Sequence, residues 1–168
     1  MIDIRIAKNE DFESLVAFNL AMAIETEGKQ LNETILRAGV NYLLETPQFG
    51  FYAVAEDRSG DSARIIGSLM ITYEWSDWRN GLFWWVQSVY VKPEYRRQGV
   101  YRKLYLFIKD RADSAGCVCG FRLYVEKQNS AAQKTYVSLG MQESHYLMFE
   151  EDLTLHGNAD GDRIDVRE

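Results

Sequence analysis

The run Leu82 to Val91 constrains the fold more than any other stretch. It is apolar on both faces, interrupted only at Gln87 and Ser88. A strand with one wet face alternates apolar and polar residues, whereas a strand apolar throughout sits inside a sheet covered on both sides. Helices must supply that cover, so the chain calls for a sheet sandwiched in an α/β arrangement. The run is too short to cross a bilayer.

The covering elements are visible on either side. Ile2, Ile4 and Ile6 alternate with Asp3 and Arg5, the pattern of a short strand with one buried face. Asn9, Glu10 and Asp11 read as a helix start with acids in the first turn. Phe12, Leu15, Val16, Asn19, Leu20 and Ala23 then recur at helical spacing up to a stop at Gly28. Asn32 opens a second helix that ends before Pro47. Strands follow at 51–56 and 64–73, then the Asn80-Gly81 turn signal and the 82–91 run. A charged loop, Pro93 to Gly99, leads into a helix with Val100, Leu104, Phe107, Ile108 and Ala112 on one stripe, ending near Gly116. Gly120 to Val125 reads as a buried strand, Asn129 as the cap of a short helix through Ser138, and Tyr146 to Phe149 as a last strand. The order is βααβββαβαβ. Strands and helices alternate only in the second half, so the sheet is expected to be mixed.

A chain of 168 residues with 46% hydrophobic and 13% aromatic residues is expected to form one domain with a sizeable core. The domain is placed at 1–152 and a polar tail at 153–168, where the composition turns to His-Gly-Asn-Ala-Asp-Gly-Asp. The net charge of −6 argues against a nucleic-acid partner, which needs a basic face, and suits a cationic substrate. The first residues lack a basic segment followed by an apolar one, so a soluble cytoplasmic protein without a membrane partner is expected. Cys117 and Cys119 have neither redox nor zinc spacing, and His145 and His156 form no ligand pattern. No metal is expected.

Two blocks carry chemistry. In Val89-Tyr90-Val91-Lys92-Pro93-Glu94-Tyr95-Arg96-Arg97-Gln98-Gly99-Val100-Tyr101-Arg102 a buried strand runs through a basic loop into a helix N-terminus. Backbone N–H groups there lack intrahelical acceptors, and the helix dipole adds positive potential, which suits a pyrophosphate. Gly99 lets a ligand approach the backbone closely. Taken alone, the block is equally an ordinary βα turn with solvated arginines. In the second block, Asn129 and Tyr136 lie seven residues apart and share a helix face. Alone, they are equally a cap and a core tyrosine.

In this order and with a strand between them, the two blocks resemble the GNAT superfamily of acetyltransferases. Its RxxGxG/A loop matches Arg96, Gly99 and the position of Tyr101, where the family prefers Gly or Ala. Its later NxxAxxxYxxxGF segment matches Asn129, Ala132, Tyr136 and Gly140-Met141, with Met141 in place of the usual Phe. The resemblance covers about residues 2–150. It implies a GNAT-like α/β fold, a central twisted mixed sheet of about seven strands flanked by about four helices.

The resemblance also implies acetyl-CoA as cosubstrate and direct transfer of the acetyl group to an amine. The strand at Val89, Tyr90 and Val91 would bind the pantetheine arm through its main chain. Arg96, Arg97, Gln98, Gly99, Val100, Tyr101 and Arg102 would hold the pyrophosphate, and Asn129 would touch the cofactor. Tyr136 would protonate the departing thiolate. An alkylamine with a pKa of about 10.4 is protonated at neutral pH and needs a base. Glu74, at a strand end, is the first candidate, with Glu25 and Asp77 as alternatives that would otherwise contact the acceptor. Trp75, Trp84 and Gln87 complete the expected acceptor site, because tryptophans beside acids cradle cationic amines. For Trp84 and Trp85 core packing is the competing role. For Trp75 and Trp78 it is an interface, and the family admits a homodimer. A silent acyl-CoA-binding module is the competing function.

Overall fold

The computed structural model describes residues 1–60, 62–151 and 153. The described chain divides into two compact units, with the second beginning at Ser130. That division falls inside the segment 1–152 expected as one domain. The polar stretch expected from 153 onward lies, Leu153 aside, outside the described residues.

The first unit contains β1 (Ile2–Ile6), α1 (Phe12–Glu27), α2 (Glu33–Glu45), β2 (Gly50–Asp57), β3 (Arg64–Ser76), β4 (Gly81–Val91), α3 (Val100–Ala115) and β5 (Val118–Arg122). The five strands pair in sequence order. All pairs are antiparallel except β4 with β5, which is parallel. A parallel pair cannot be joined by a hairpin, so α3 is the crossover. The fold is α/β with a mixed sheet and, with α4 (Ser130–Ser138) of the second unit, four α-helices, as expected.

Five strands, not about seven, are found among the described residues. Tyr146 to Phe149 forms no strand. Four apolar residues carry β propensity but not pairing, and the Tyr146 N–H is taken by the Ser144 hydroxyl at 3.1 Å. The fifth strand begins two residues early and stops at Arg122, half-buried throughout. As the outermost strand in the sheet order it pairs only with β4.

Local chemistry sets the helix ends. A 3-10 turn at Asn9–Asp11 leads into α1, which stops at Gly28 in the left-handed region (φ 63°). The Asn32 side chain accepts the Ile35 N–H at 3.2 Å and caps α2. α1 and α2 bury Leu15, Val16, Val40 and Leu43 against Tyr52 and Val54 of β2. The alternate β2 residue Phe51 faces the other way, beside Phe107 and Arg111 of α3. The two layers therefore cover opposite sheet faces, as the 82–91 run requires. Each fully buried aliphatic side chain contributes about 1.5–3 kcal/mol.

A charged staple ties β1 to this frame. Arg5 donates to both oxygens of Asp11, at 2.6 and 2.9 Å, and to Glu56 at 3.2 Å. Arg58 supplies Glu56 with a second cation at 2.7 Å. Asp11 is only 3% exposed. Burial alone pushes its carboxyl up, but the Arg5 fork and the Lys8 N–H outweigh this and hold it below its usual range. The hydrogen bond from Arg58, with that from Arg5, outweighs burial and lowers Glu56 too.

Because both folded-state values are depressed, their stabilisation is present above the ordinary carboxylate values of 3.8 and 4.5. It is lost as pH falls through the lower folded values. Arg5→Met leaves a buried carboxylate uncompensated and is expected to cost about 3 kcal/mol at pH 7. Urea unfolding at pH 7 and pH 3 checks this. The gap between variant and wild type should shrink at pH 3, where protonated carboxyls no longer need the guanidinium. A gap independent of pH would refute the role given to the staple.

Candidate active site

The site is built on β4. Between the pairs Ser68–Tyr90 and Met70–Gln87, β3 advances two residues while β4 advances three. β4 therefore carries a bulge, and within it Ser88 adopts φ 47°. A bulge bends a strand and re-aims its backbone groups. On its other side β4 pairs with β5 only as far as Trp85–Arg122. From Val86 to Val91, beside the bulge, the outer edge of β4 has no ladder partner among the described residues. An unpaired edge of backbone N–H and C=O groups can take an extended ligand as if it were a strand.

The open edge leads to an anion site. After a 3-10 turn at Pro93–Tyr95, Arg97 (φ 62°) and Gly99 (φ 78°) take left-handed conformations, and Gly99 is the N-cap of α3. The first helical bond runs from Lys103 N–H to the Gly99 carbonyl at 3.0 Å. The N–H groups of Val100, Tyr101 and Arg102 precede it and have no acceptor inside the helix. Gly99 itself supplies no capping side chain. Such alternating backbone makes a concave nest of donors at the positive end of a helix dipole, suited to a diphosphate. Arg97, Gln98 and Arg102 are exposed around it. The bulky Tyr101 is half-buried, and its ring lies 6.1 Å from that of Tyr105, one helical turn on.

Arg96, expected on the phosphates, points elsewhere. It donates to the Val91 carbonyl at 2.8 Å and to Glu25 at 2.6 Å, with its guanidinium 5.4 Å from the centre of the Tyr90 ring. Tyr90 donates to the other Glu25 oxygen at 3.1 Å, and its ring packs on Phe18 at 5.1 Å. Glu25 thus clamps the end of α1 to the loop, and the Tyr90 side chain belongs to the core. The sequence could not show this, because Glu25 and Arg96 are 71 positions apart.

One sheet face near the end of the β4–β5 ladder carries a polar cluster. Glu74 accepts from Arg122 at 2.6 Å and from the Trp85 indole N–H. Gln87 donates to the Thr72 hydroxyl at 2.6 Å and accepts from the Tyr124 hydroxyl at 3.3 Å. Of the expected residues, Glu74 and Gln87 lie on this face, each with its own partners. Trp84 does not: adjacent in sequence to Trp85, it faces the opposite side. There it is 5% exposed, packed against Phe51, Tyr73 and Phe121 at 5.3, 5.8 and 6.1 Å. Trp75 and Asp77 lie at the far end of the β3–β4 hairpin, where Asp77 accepts the Trp78 N–H at 2.8 Å and Trp78 is 91% exposed. From there to the bulge is about 20 Å along the strand. Arg122, Thr72 and Tyr124 were missed, although Arg122 is the lone charge in the apolar run Gly120–Val125.

Asn129 closes the first unit, its N–H donating to the Glu126 carbonyl at 3.0 Å. In the second unit Tyr136 sits on α4, and its carbonyl accepts the N–H groups of Leu139 and Met141, each at 3.1 Å. Its side chain is half-buried, and that burial pushes the phenol above its usual value. Among the described residues no group of His, Cys, Asp or Glu is placed to hold a metal ion. Among them, too, no helix is long and apolar enough to cross a membrane.

Three comparisons bear on this geometry. A model of the acetyltransferase (GNAT) family matches residues 16–141. The crystal structure of a possible acetyltransferase from Clostridium difficile 630 is 44% identical, covers 90% of this chain and 97% of its own, and superposes with a TM-score of 0.82. A predicted acetyltransferase from Clostridium acetobutylicum, solved with acetyl-CoA, is similar in fold. It is 20% identical, covers 94% of this chain and 100% of its own, and has a TM-score of 0.73. Thialysine N-epsilon-acetyltransferase from Bos taurus is 33% identical over 79 residues, which span 47% of this chain and 45% of the bovine protein. The match to that relative thus extends over less than half of its length.

Proposed function

The chain belongs to the acetyltransferase (GNAT) family, and we propose that it transfers the acetyl group of acetyl-CoA to a primary amine of a small molecule, amino acid or peptide. The observation that carries this reading is the open edge of β4, which runs from the bulge at Ser88 to the donor nest at the start of α3. It has the two halves a CoA thioester needs, an extended backbone edge for the pantetheine and an anion site for the pyrophosphate. The acetyl-CoA held by the Clostridium acetobutylicum protein supports the choice of donor. The bovine relative, a thialysine N-epsilon-acetyltransferase, supports an amine as acceptor.

In the proposed reaction the amine nitrogen bonds to the thioester carbonyl carbon, the C–S bond breaks, and the amine loses a proton. The backbone of Val89 and Val91 holds the pantetheine and polarises the carbonyl, and residues 97–102 hold the pyrophosphate. Arg96 acts on that loop through Glu25, as a brace. Asn129 contacts the cofactor. Glu74 receives the amine proton through water, and Tyr136 gives its phenolic proton to the thiolate. Holding the reactants in line supplies much of the acceleration. The reading includes a cytoplasmic enzyme that works without metal, and it admits a homodimer.

The test is release of free CoA thiol from acetyl-CoA over a panel of amines. Amine-dependent release is the expected result. CoA binding without release on any amine would replace the enzyme by an acyl-CoA-binding module. Absence of CoA binding would remove both readings, and Tyr101 in the donor loop would be its first suspected cause.

A further inference from the structure

From the polar cluster beside the end of the β4–β5 ladder we infer that the acceptor is a free α-amino acid, read by Arg122 through its carboxylate and by Glu74 through its ammonium group. This deepens the acetyltransferase reading and rests on it for the identity of the reaction. Glu74 and Arg122 are 38% and 39% exposed, so neither is sealed in the core. They lean towards each other across β4, from β3 and β5, and their contact lies where the β4–β5 ladder stops and the open edge begins.

The guanidinium is only partly used. Of its five N–H donors, one bonds to Glu74 among the described residues. Its central carbon lies over the Phe83 ring, 3.7 Å from the centre. That contact anchors the group, and the donors not used by Glu74 remain for a second carboxylate. Gly120 makes the contact possible, since a Cβ there would come within 2.8 Å of the Phe83 ring. Glu74 is fixed as firmly, with one oxygen on Arg122 and the other on Trp85, and each oxygen keeps a further lone pair.

A bare amine finds at this pair a carboxylate already matched by a cation, and that cation repels it. An α-amino acid completes an alternating square. Its carboxylate takes the guanidinium donors not used by Glu74, its ammonium approaches Glu74, and the four charges sum to zero. The two charges of an amino acid are separated by about the span of one salt bridge, as are those of the protein pair. The indole of Trp85 and the ring of Tyr124, 6.1 Å apart, flank the same face and suit the adjoining methylene groups.

The test compares amino acids with the amines that lack the carboxylate. Binding of the L-amino acids and of their decarboxylated counterparts, such as L-lysine with cadaverine and L-leucine with isopentylamine, is measured calorimetrically on the full chain with CoA present. At least one amino acid is expected to bind roughly tenfold or more tightly than its amine. Arg122→Gln should erase that preference by weakening the amino acid alone, and Arg122→Lys should restore part of it. Equal binding of both members of every pair would overturn the inference, as would no binding of any amino acid or equal loss of both in Arg122→Gln. The wild-type comparison stands even if a variant fails to fold. Amino-acid binding without thiol release would sink the transferase reading and leave Arg122 and Glu74 as an amino-acid binding site.

Discussion

Tyr136→Phe is expected to lower kcat for amine-dependent thiol release about 100-fold, the low end of what a positioned acid supplies. The ring is kept, so helix α4 keeps its packing and only the acid is lost. In the proposed reaction the leaving group is a thiolate, and a proton delivered as the C–S bond breaks would prevent its return to the carbonyl. Burial raises the phenol above its usual value of about 10, so the group enters the reaction protonated throughout the neutral range. The direction of the shift fixes the pH profile. A raised value carries the alkaline limb that reports loss of the acid upward, beyond the ordinary value of a tyrosine. In Tyr136→Phe that limb should vanish along with the rate. Affinity for CoA, measured separately by calorimetry, should change little, because the hydroxyl is assigned to the chemical step. A variant that keeps the wild-type kcat would remove Tyr136 from the chemistry. One that loses CoA affinity and rate together would make it a binding residue.

Much of the frame was legible because its signals are local. Gly28 and Gly116 stop their helices in left-handed conformations, and Asn32 caps the next helix with its own side chain. The Asn80-Gly81 turn is present, with Asn80 at φ 46°. The 82–91 run lies inside the sheet, between β3 and β5, as its two apolar faces require. Even Asn19, counted on an otherwise apolar stripe, is buried and satisfied by the Leu15 carbonyl at 2.9 Å.

What escaped the sequence is long-range. The bulge in β4 falls on Ser88, which takes φ 47° without the glycine that would have announced it. Arg96 matched a phosphate motif, but its charge is claimed by Glu25 near the end of α1, 71 positions away in sequence. Glu74 reads from the sequence as a strand end, but β3 runs on to Ser76 and places it inside the ladder. Its partners, Trp85 and Arg122, become visible only once β3, β4 and β5 are in register. Trp84 and Trp85 are neighbours in sequence, and strand alternation sends one to the core and the other to the site. Tyr146 to Phe149 had strand-like residues but no ladder, and propensity without pairing did not make a strand.

Gly50→Ala is expected to cost about 4 kcal/mol of stability, more than any single exposed substitution in this chain. Gly50 opens β2 opposite Thr72 of β3, with φ 155°. A Cβ built there would lie 1.9 Å from the Ile71 carbonyl oxygen, 2.9 Å from its carbon and 3.1 Å from the Thr72 Cα. All three are backbone atoms in a paired strand, so no side chain can swing aside. β2 and β3 must part locally, and the ladder bonds at that end must lengthen or break. For a chain of this size the loss corresponds to a fall in Tm of about 10 °C. Gly28→Ala is the control. Gly28 has φ 63°, but nothing lies within 4 Å of its would-be Cβ, so only the backbone preference is at stake, about 1 kcal/mol. The damage at Gly50 should also reach the site. Thr72 holds Gln87 through its hydroxyl at 2.6 Å, and moving Thr72 moves the residue next to the bulge. Thermal unfolding of both variants decides the matter. If Gly50→Ala lost no more than Gly28→Ala, the close approach of β2 to β3 at Gly50 would not be the constraint that the strand register makes it.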